Sequence, residues 1–128
     1  MLKIYTDAAG YPNSNFFGIG ILIVENKVQH QLHFKVNATD IHQAEFLAAI
    51  KGLKYSIETL HNTDLIFLYS DSKILVDSIS KEYSKSYQRD LNIFLSLSKK
   101  INILLPTWIS DKENSGAHHL ALQGLHTN

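Results

Sequence analysis

Hydrophobic and polar positions change period several times along the chain, and each change marks an element. Residues 2–7 alternate, with Leu2, Ile4 and Thr6 on one face and Lys3, Tyr5 and Asp7 on the other, which predicts a strand. AAGYPNSN is rich in turn residues and predicts a loop. FGIGILIVEN and KVQHQLHFKVN predict two strands joined by a tight turn near Glu25-Asn26-Lys27. In the second, Val28, His30, Leu32, Phe34 and Val36 alternate with polar residues, as in a half-buried strand. The period then becomes helical from about Ile41 to Leu60, with Ala44, Leu47, Ala48 and Leu53 near one face.

Residues 64–70 are almost continuously apolar, the mark of a central, buried strand. Helical segments follow over about 72–80 and 87–100, INILLPTWI predicts a fifth strand, and Asn114 is placed to cap a last helix, SGAHHLALQGL. The order β-β-β-α-β-α-α-β-α, with no linker or repeat, needs only one α/β domain, 1–128. The first three strands can form a meander, whereas the fourth and fifth need helical crossovers and so run parallel to the first. In open α/β sheets, sites gather beyond the carboxyl ends of the parallel strands. Asp7 and Asp71 both fall at such ends, and Glu45 lies on the intervening helix.

A carboxylate at the end of a buried strand is costly unless a cation meets it. Three that converge offer oxygen ligands to a hard divalent metal. Asp7 has no local cation to excuse it. Asp71 has a competing structural role as a helix cap, which the adjacent Ser72 is equally able to fill. Glu45 on its own reads as a surface helix residue, and its partners are what raise it.

Composition narrows the chemistry further. An apolar fraction of 45% and a charged fraction of 19% are ordinary for a globular protein. With no cysteine, neither a disulfide framework nor a cysteine-ligated zinc site is possible. There is no G-x-S-x-G elbow, no G-x-x-x-x-G-K phosphate loop and no H-E-x-x-H pair, so hydrolysis here would be metal-based. The N-terminal MLKIYTD lacks the character of a signal peptide and no apolar run has the ~20 residues of a membrane span, so a cytoplasmic protein is expected. Formal net charge is zero and Arg89 is the only arginine, so nucleic-acid binding would be weak, metal-assisted and salt-sensitive.

TDAA, the turn followed by a G-x-G strand, AEFLAAIKGL, YSDSKILVDSI and WISDKENSGAHHLA occur in an order that resembles the ribonuclease H type 1 family. The likeness spans essentially the whole chain and is greatest to the compact bacterial branch, whose helix motif reads roughly N-H-x-A-E-F. The resemblance implies a ribonuclease H-like fold, a five-stranded mixed sheet with helices on both sides. It also implies hydrolysis of the RNA strand of RNA–DNA hybrids with two Mg²⁺ or Mn²⁺ ions. On that pattern Asp7 bridges both metals, Glu45 holds one near the ribose side, and Asp71 helps orient the attacking water. Asn13, His42, Ser72 and Asn114 fall at substrate-binding positions. A monomer is expected, with no protein partner indicated.

The chain departs from the family where a fourth Asp would follow N-x-x-A. Asn114 to Ala117 match, and the next residue is His118. Imidazole serves Mn²⁺ better than Mg²⁺, so His118 is a candidate catalytic and metal-binding residue of reduced strength. Asp111 could replace the missing acid only if its loop folds over the site. Asp7-Ala8-Ala9 and Tyr11-Pro12-Asn13-Ser14 replace D-G-S and G-N-P-G, and no basic, Trp-bearing protrusion separates the middle helices. These departures favour an alternative, a weakened or inactive module that binds nucleic acid or protein. Trp108 reads as a core residue, His30 and His33 as strand residues facing solvent or a polar niche, and His119 and His126 as solvated.

Overall fold

A computed structural model describes residues 1–127 of the chain. Five strands, β1 (Leu2–Gly10), β2 (Phe16–Glu25), β3 (Val28–Asn37), β4 (Leu65–Ser70) and β5 (Ile103–Trp108), form one sheet in the order β3-β2-β1-β4-β5. β1, β2 and β3 are an antiparallel meander, while β4 and β5 run parallel to β1. Helices α1 (Ile41–Glu58), α2 (Lys73–Lys81), α3 (Gln88–Ser98) and α4 (Ser115–Leu125) complete the fold, with a short 3-10 turn over Asp111–Asn114. No helix among the described residues is long and apolar enough to cross a membrane.

β1 is longer than its alternation suggests. Ala8, Ala9 and Gly10 continue the strand by pairing with Ile19, Gly18 and Phe17, and the reversal is confined to the residues beyond Gly10. Asn13 takes the left-handed backbone at its tip, and Asn26 and Lys27 do so in the β2–β3 turn. Asp7 therefore lies inside a paired strand rather than at its last residue.

The two sheet faces are covered differently. Leu2, Ile4, Ile19, Ile21, Ile23, Ile66 and Leu68 are buried together with Ala44, Ala48, Ala49 and Leu53 of α1 and with Leu75, Leu91 and Phe94 of α2 and α3. On the opposite face α4 lies so close to β2 that side chains cannot intervene. A Cβ at Gly18 would fall 2.0 Å from the carbonyl oxygen of Ala121, and one at Gly20 would fall 2.2 Å from that of Ala117. The G-x-G of β2 is therefore a helix-docking surface.

Each crossover is fixed by its own cap. Asp40 accepts from the Gln43 N–H at 2.9 Å to start α1, and Ser72 accepts from the Leu75 N–H at 3.2 Å to start α2. Asn114, expected to cap α4, makes no side-chain cap bond. Its side-chain amide instead donates to the Thr6 carbonyl at 2.8 Å, tying the start of α4 to β1.

Candidate metal centre

Three elements bring Asp7, Glu45 and Asp71 to one point. Asp7 comes from β1, whose register partner is Gly20. Glu45 projects from the second turn of α1, within the four-residue step that also buries Ala44, Ala48 and Ala49. Asp71 follows the last residue of β4 and precedes the Ser72 cap. One carboxylate oxygen from each lies within 4.8 Å of the others. Because Ser72 takes the capping role, the Asp71 carboxylate is left free to face Asp7 and Glu45.

Among the described residues no lysine or arginine pairs with these acids, and His118 alone forms an ion-pair contact with one of them, Asp7. Glu45 is only 7% exposed, and its Oε1 is buried without a hydrogen-bond partner. Burial, reinforced by the charges of Asp7 and Asp71, pushes its pKa well above the usual carboxylate value. Burial raises Asp7 as well, against the opposing effect of the His118 hydrogen bond. Burial and then the neighbouring Asp7 push Asp71 up to about 6. Three acids that resist ionisation, one with an orphaned buried oxygen, fit a hard divalent cation. The all-oxygen donor set suits Mg²⁺ or Mn²⁺.

His118 lies outside the three-acid group and meets it through Asp7. It lies in the first turn of α4, and its Nδ1 is 2.9 Å from Asp7 Oδ2, the one ion-pair contact made by the three acids among the described residues. The imidazole thus occupies an oxygen that a cation would also seek. Gly20 places it there by letting α4 settle onto the strand beside Asp7. Asp111 sits exposed in the 3-10 turn, outside the three-acid group, and acts on it only as one of the charges raising Asp71.

Two of the three acids, Glu45 and Asp71, border a cleft of ≈ 430 Å³ lined also by Ile41, His42, Ser72, Lys73, Ile74 and Trp108. His42 and Ser72 line the same cleft as Glu45 and Asp71. Asn13 is apart, on the exposed β1–β2 turn. Asn114 is 1% exposed, and its Oδ1 is unpartnered. His30 is half-buried beside Tyr55, whereas His33, His119 and His126 are exposed.

Trp108 corrects the core reading. It is 45% exposed at the end of the edge strand β5, and its indole N–H donates to the Asp71 carbonyl at 3.0 Å. Lys73 Nζ stands 5.0 Å from its ring centroid. Tryptophan at a strand end reads as core when the strand is taken to be covered on both sides, and the sequence carries no signal that β5 is an edge.

The RNase H family model matches residues 1–123. EbsB of Enterococcus faecalis, which carries only the provisional name of a hydrolase, is 38% identical over 127 residues, covering 98% of this chain and 94% of that protein. A ribonuclease H of Trichodesmium erythraeum is 33% identical over 87 residues, 68% of this chain and 53% of its own. The match thus spans about half the length of that relative. Among solved structures, RNase H1 of the archaeon Halobacterium salinarum superposes with a TM-score of 0.87 at 20% identity, covering 97% of this chain and 96% of that one. LC11-RNase H1, crystallised in complex with an RNA/DNA hybrid, superposes with a TM-score of 0.85 at 20% identity, over 98% and 96% of the two chains. With the family model covering nearly its full length, the chain belongs to the RNase H family.

Proposed function

We propose that the chain is a metal-dependent endonuclease that hydrolyses the RNA strand of RNA–DNA hybrids, with Asp7, Glu45, Asp71 and His118 as its catalytic set. The observation that carries this reading is the convergence of three buried or half-buried acids within 4.8 Å, with no lysine or arginine paired to them among the described residues. Asp7, Glu45 and Asp71 would hold one or two Mg²⁺ or Mn²⁺ ions. Such ions, when bound, supply phosphate neutralisation, water activation near neutral pH and stabilisation of the leaving 3′-oxygen.

The residues of the chain divide the remaining work. Asp7 is the acid whose charge is felt by both others, which suits it to the centre of the set. Glu45, the most enclosed of the three, fixes one side of the site through the rigid α1. Asp71 is the more open acid and would orient the attacking water. Ser72 uses its oxygen to accept from Leu75 and keeps its hydroxyl proton to donate. With His42 it would meet the 2′-hydroxyls by which a hybrid's RNA strand differs from DNA.

A second reading is favoured by one specific observation. The His118 contact with Asp7 gives the site a resident partner where a fourth acid would add charge for a cation. On that reading the protein is a weakened or inactive RNase H-like module that binds nucleic acid or a protein. Cleavage of a labelled hybrid with Mg²⁺, then Mn²⁺, separates the two. Metal-dependent cutting of the RNA strand alone, lost in Asp71→Asn, supports the enzyme. No cutting with either ion by folded protein leaves the binding module.

A further inference from the structure

The cleft beside the three acids presents a problem for a polyanionic substrate, because Glu45 and Asp71 line it and little positive charge does. Lys73 is the one lysine or arginine lining it among the described residues. It lies two residues from Asp71, yet makes no ion pair within 4.0 Å among the described residues. Its ammonium is held instead over the Trp108 ring, 5.0 Å from the centroid. The indole is itself fixed by its N–H bond to the Asp71 carbonyl and by the pairing of Ser70 with Trp108. The exposed Ile74 and half-buried Ile41 border the same shelf and offer no competing anion.

We propose that Lys73, positioned by Trp108, is a phosphate-binding residue of the cleft, contacting a phosphodiester that flanks the one being cut. The inference rests on the reading of the cleft as a nucleic-acid site and adds the source of its substrate affinity. An ammonium paired with Asp71 would be neutralised before substrate arrived. One held by an aromatic face remains free to exchange that weak contact for a phosphate. Trp108 is a positioning residue in this scheme and touches no reacting atom. The arrangement also explains how a chain with zero net charge can attract a hybrid, since one placed cation acts where general basicity is lacking.

The test is hybrid binding and cleavage by Lys73→Gln, Trp108→Leu and Trp108→Phe. Binding is read by fluorescence anisotropy in EDTA over a series of salt concentrations, with circular dichroism to confirm folding. Loss of one phosphate contact should weaken binding by about 5–10-fold and lower the slope of log K against log salt by about 1 for Lys73→Gln. KM should rise by a similar factor while kcat changes less than about twofold. Trp108→Leu should show most of the same loss, and Trp108→Phe, which keeps an aromatic face, less of it. Unchanged affinity and salt slope in folded Lys73→Gln would overturn the proposal, as would a fall in kcat at constant KM. If the wild type binds hybrid through Lys73 but never cuts it, the nuclease reading fails and the phosphate subsite stands. If it cuts and Lys73→Gln changes neither binding nor KM, the reverse holds.

Discussion

Replacing Asp71 by Asn should make the metal-free protein more stable at pH 7 while destroying the site. Asn keeps the side-chain shape and removes one of three negative charges within 4.8 Å. The Ser72 cap and the Trp108 bond to the Asp71 carbonyl do not involve the carboxylate, so both survive. Asp71 is raised from 3.8 to about 6. The folded protein therefore holds this proton more tightly than the unfolded chain. The stability associated with it is full below about pH 4 and is lost as pH rises through about 6. A rise from 3.8 to about 6 corresponds at most to about 3 kcal/mol, and solvent screening of this half-exposed group reduces that to roughly 1–2 kcal/mol. For a chain of this size the gain is a Tm increase of about 3–8 °C at pH 7 in EDTA. At pH 4.5 it should shrink to about a third, because most of the wild-type Asp71 is then protonated. Differential scanning calorimetry of both proteins at the two pH values measures this directly. The difference between them cancels groups that do not interact with Asp71, and relief of Glu45, which the Asp71 charge pushes up, acts in the same direction. An unchanged or lower Tm for Asp71→Asn at pH 7 would refute the reasoning and make Asp71 a structural residue.

Adding Mg²⁺ or Mn²⁺ should raise the Tm of the wild type, by an amount equivalent to about 2.7 kcal/mol at a hundredfold excess over Kd. The same addition should leave Glu45→Gln nearly unmoved, and an equal rise in both would place the ion elsewhere. His118→Asp should tighten Mn²⁺ binding, read by calorimetric titration, and lower the metal-free Tm at pH 7 by adding a fourth acid to the cluster. Weaker binding would show that the imidazole itself assists the cation. Gly20→Ala should cost about 1–3 kcal/mol in a urea melt, since its methyl group would press on the backbone of α4. A cost below about 0.5 kcal/mol would contradict the close docking of that helix.

The acids were legible because each sits in a distinct pattern: Asp7 and Asp71 at the ends of apolar runs, Glu45 within a helical repeat. Their convergence follows from parallel strands joined by right-handed crossovers, a topological rule rather than a local one. Ser72 against Asp71 as the cap was also decidable in kind, since one residue can cap and leave the other free. What escaped depends on contacts distant in sequence. Ala8, Ala9 and Gly10 look like the approach to a turn, and only pairing with Phe17, Gly18 and Ile19 keeps them extended. Asn114 looks like a cap because caps are local, whereas its bond to Thr6 crosses the fold. The exposure of Trp108 follows from the edge position of β5, and the contact of His118 with Asp7 from glycines on a third element. Neither is written within the segment that carries it.

The central claim is that three converging acids make this RNase H family member a metal-dependent nuclease for the RNA strand of a hybrid. Its most direct test is multiple-turnover cleavage of a hybrid labelled separately on each strand, with Mg²⁺ or Mn²⁺ and then EDTA, by the wild type and by folded Glu45→Gln. The account expects cutting of the RNA label only, dependence on the ion, and at least a hundredfold loss on removing the Glu45 charge, about 2.7 kcal/mol of transition-state stabilisation. Cleavage that persists in Glu45→Gln, or an intact RNA label with either ion, would contradict it.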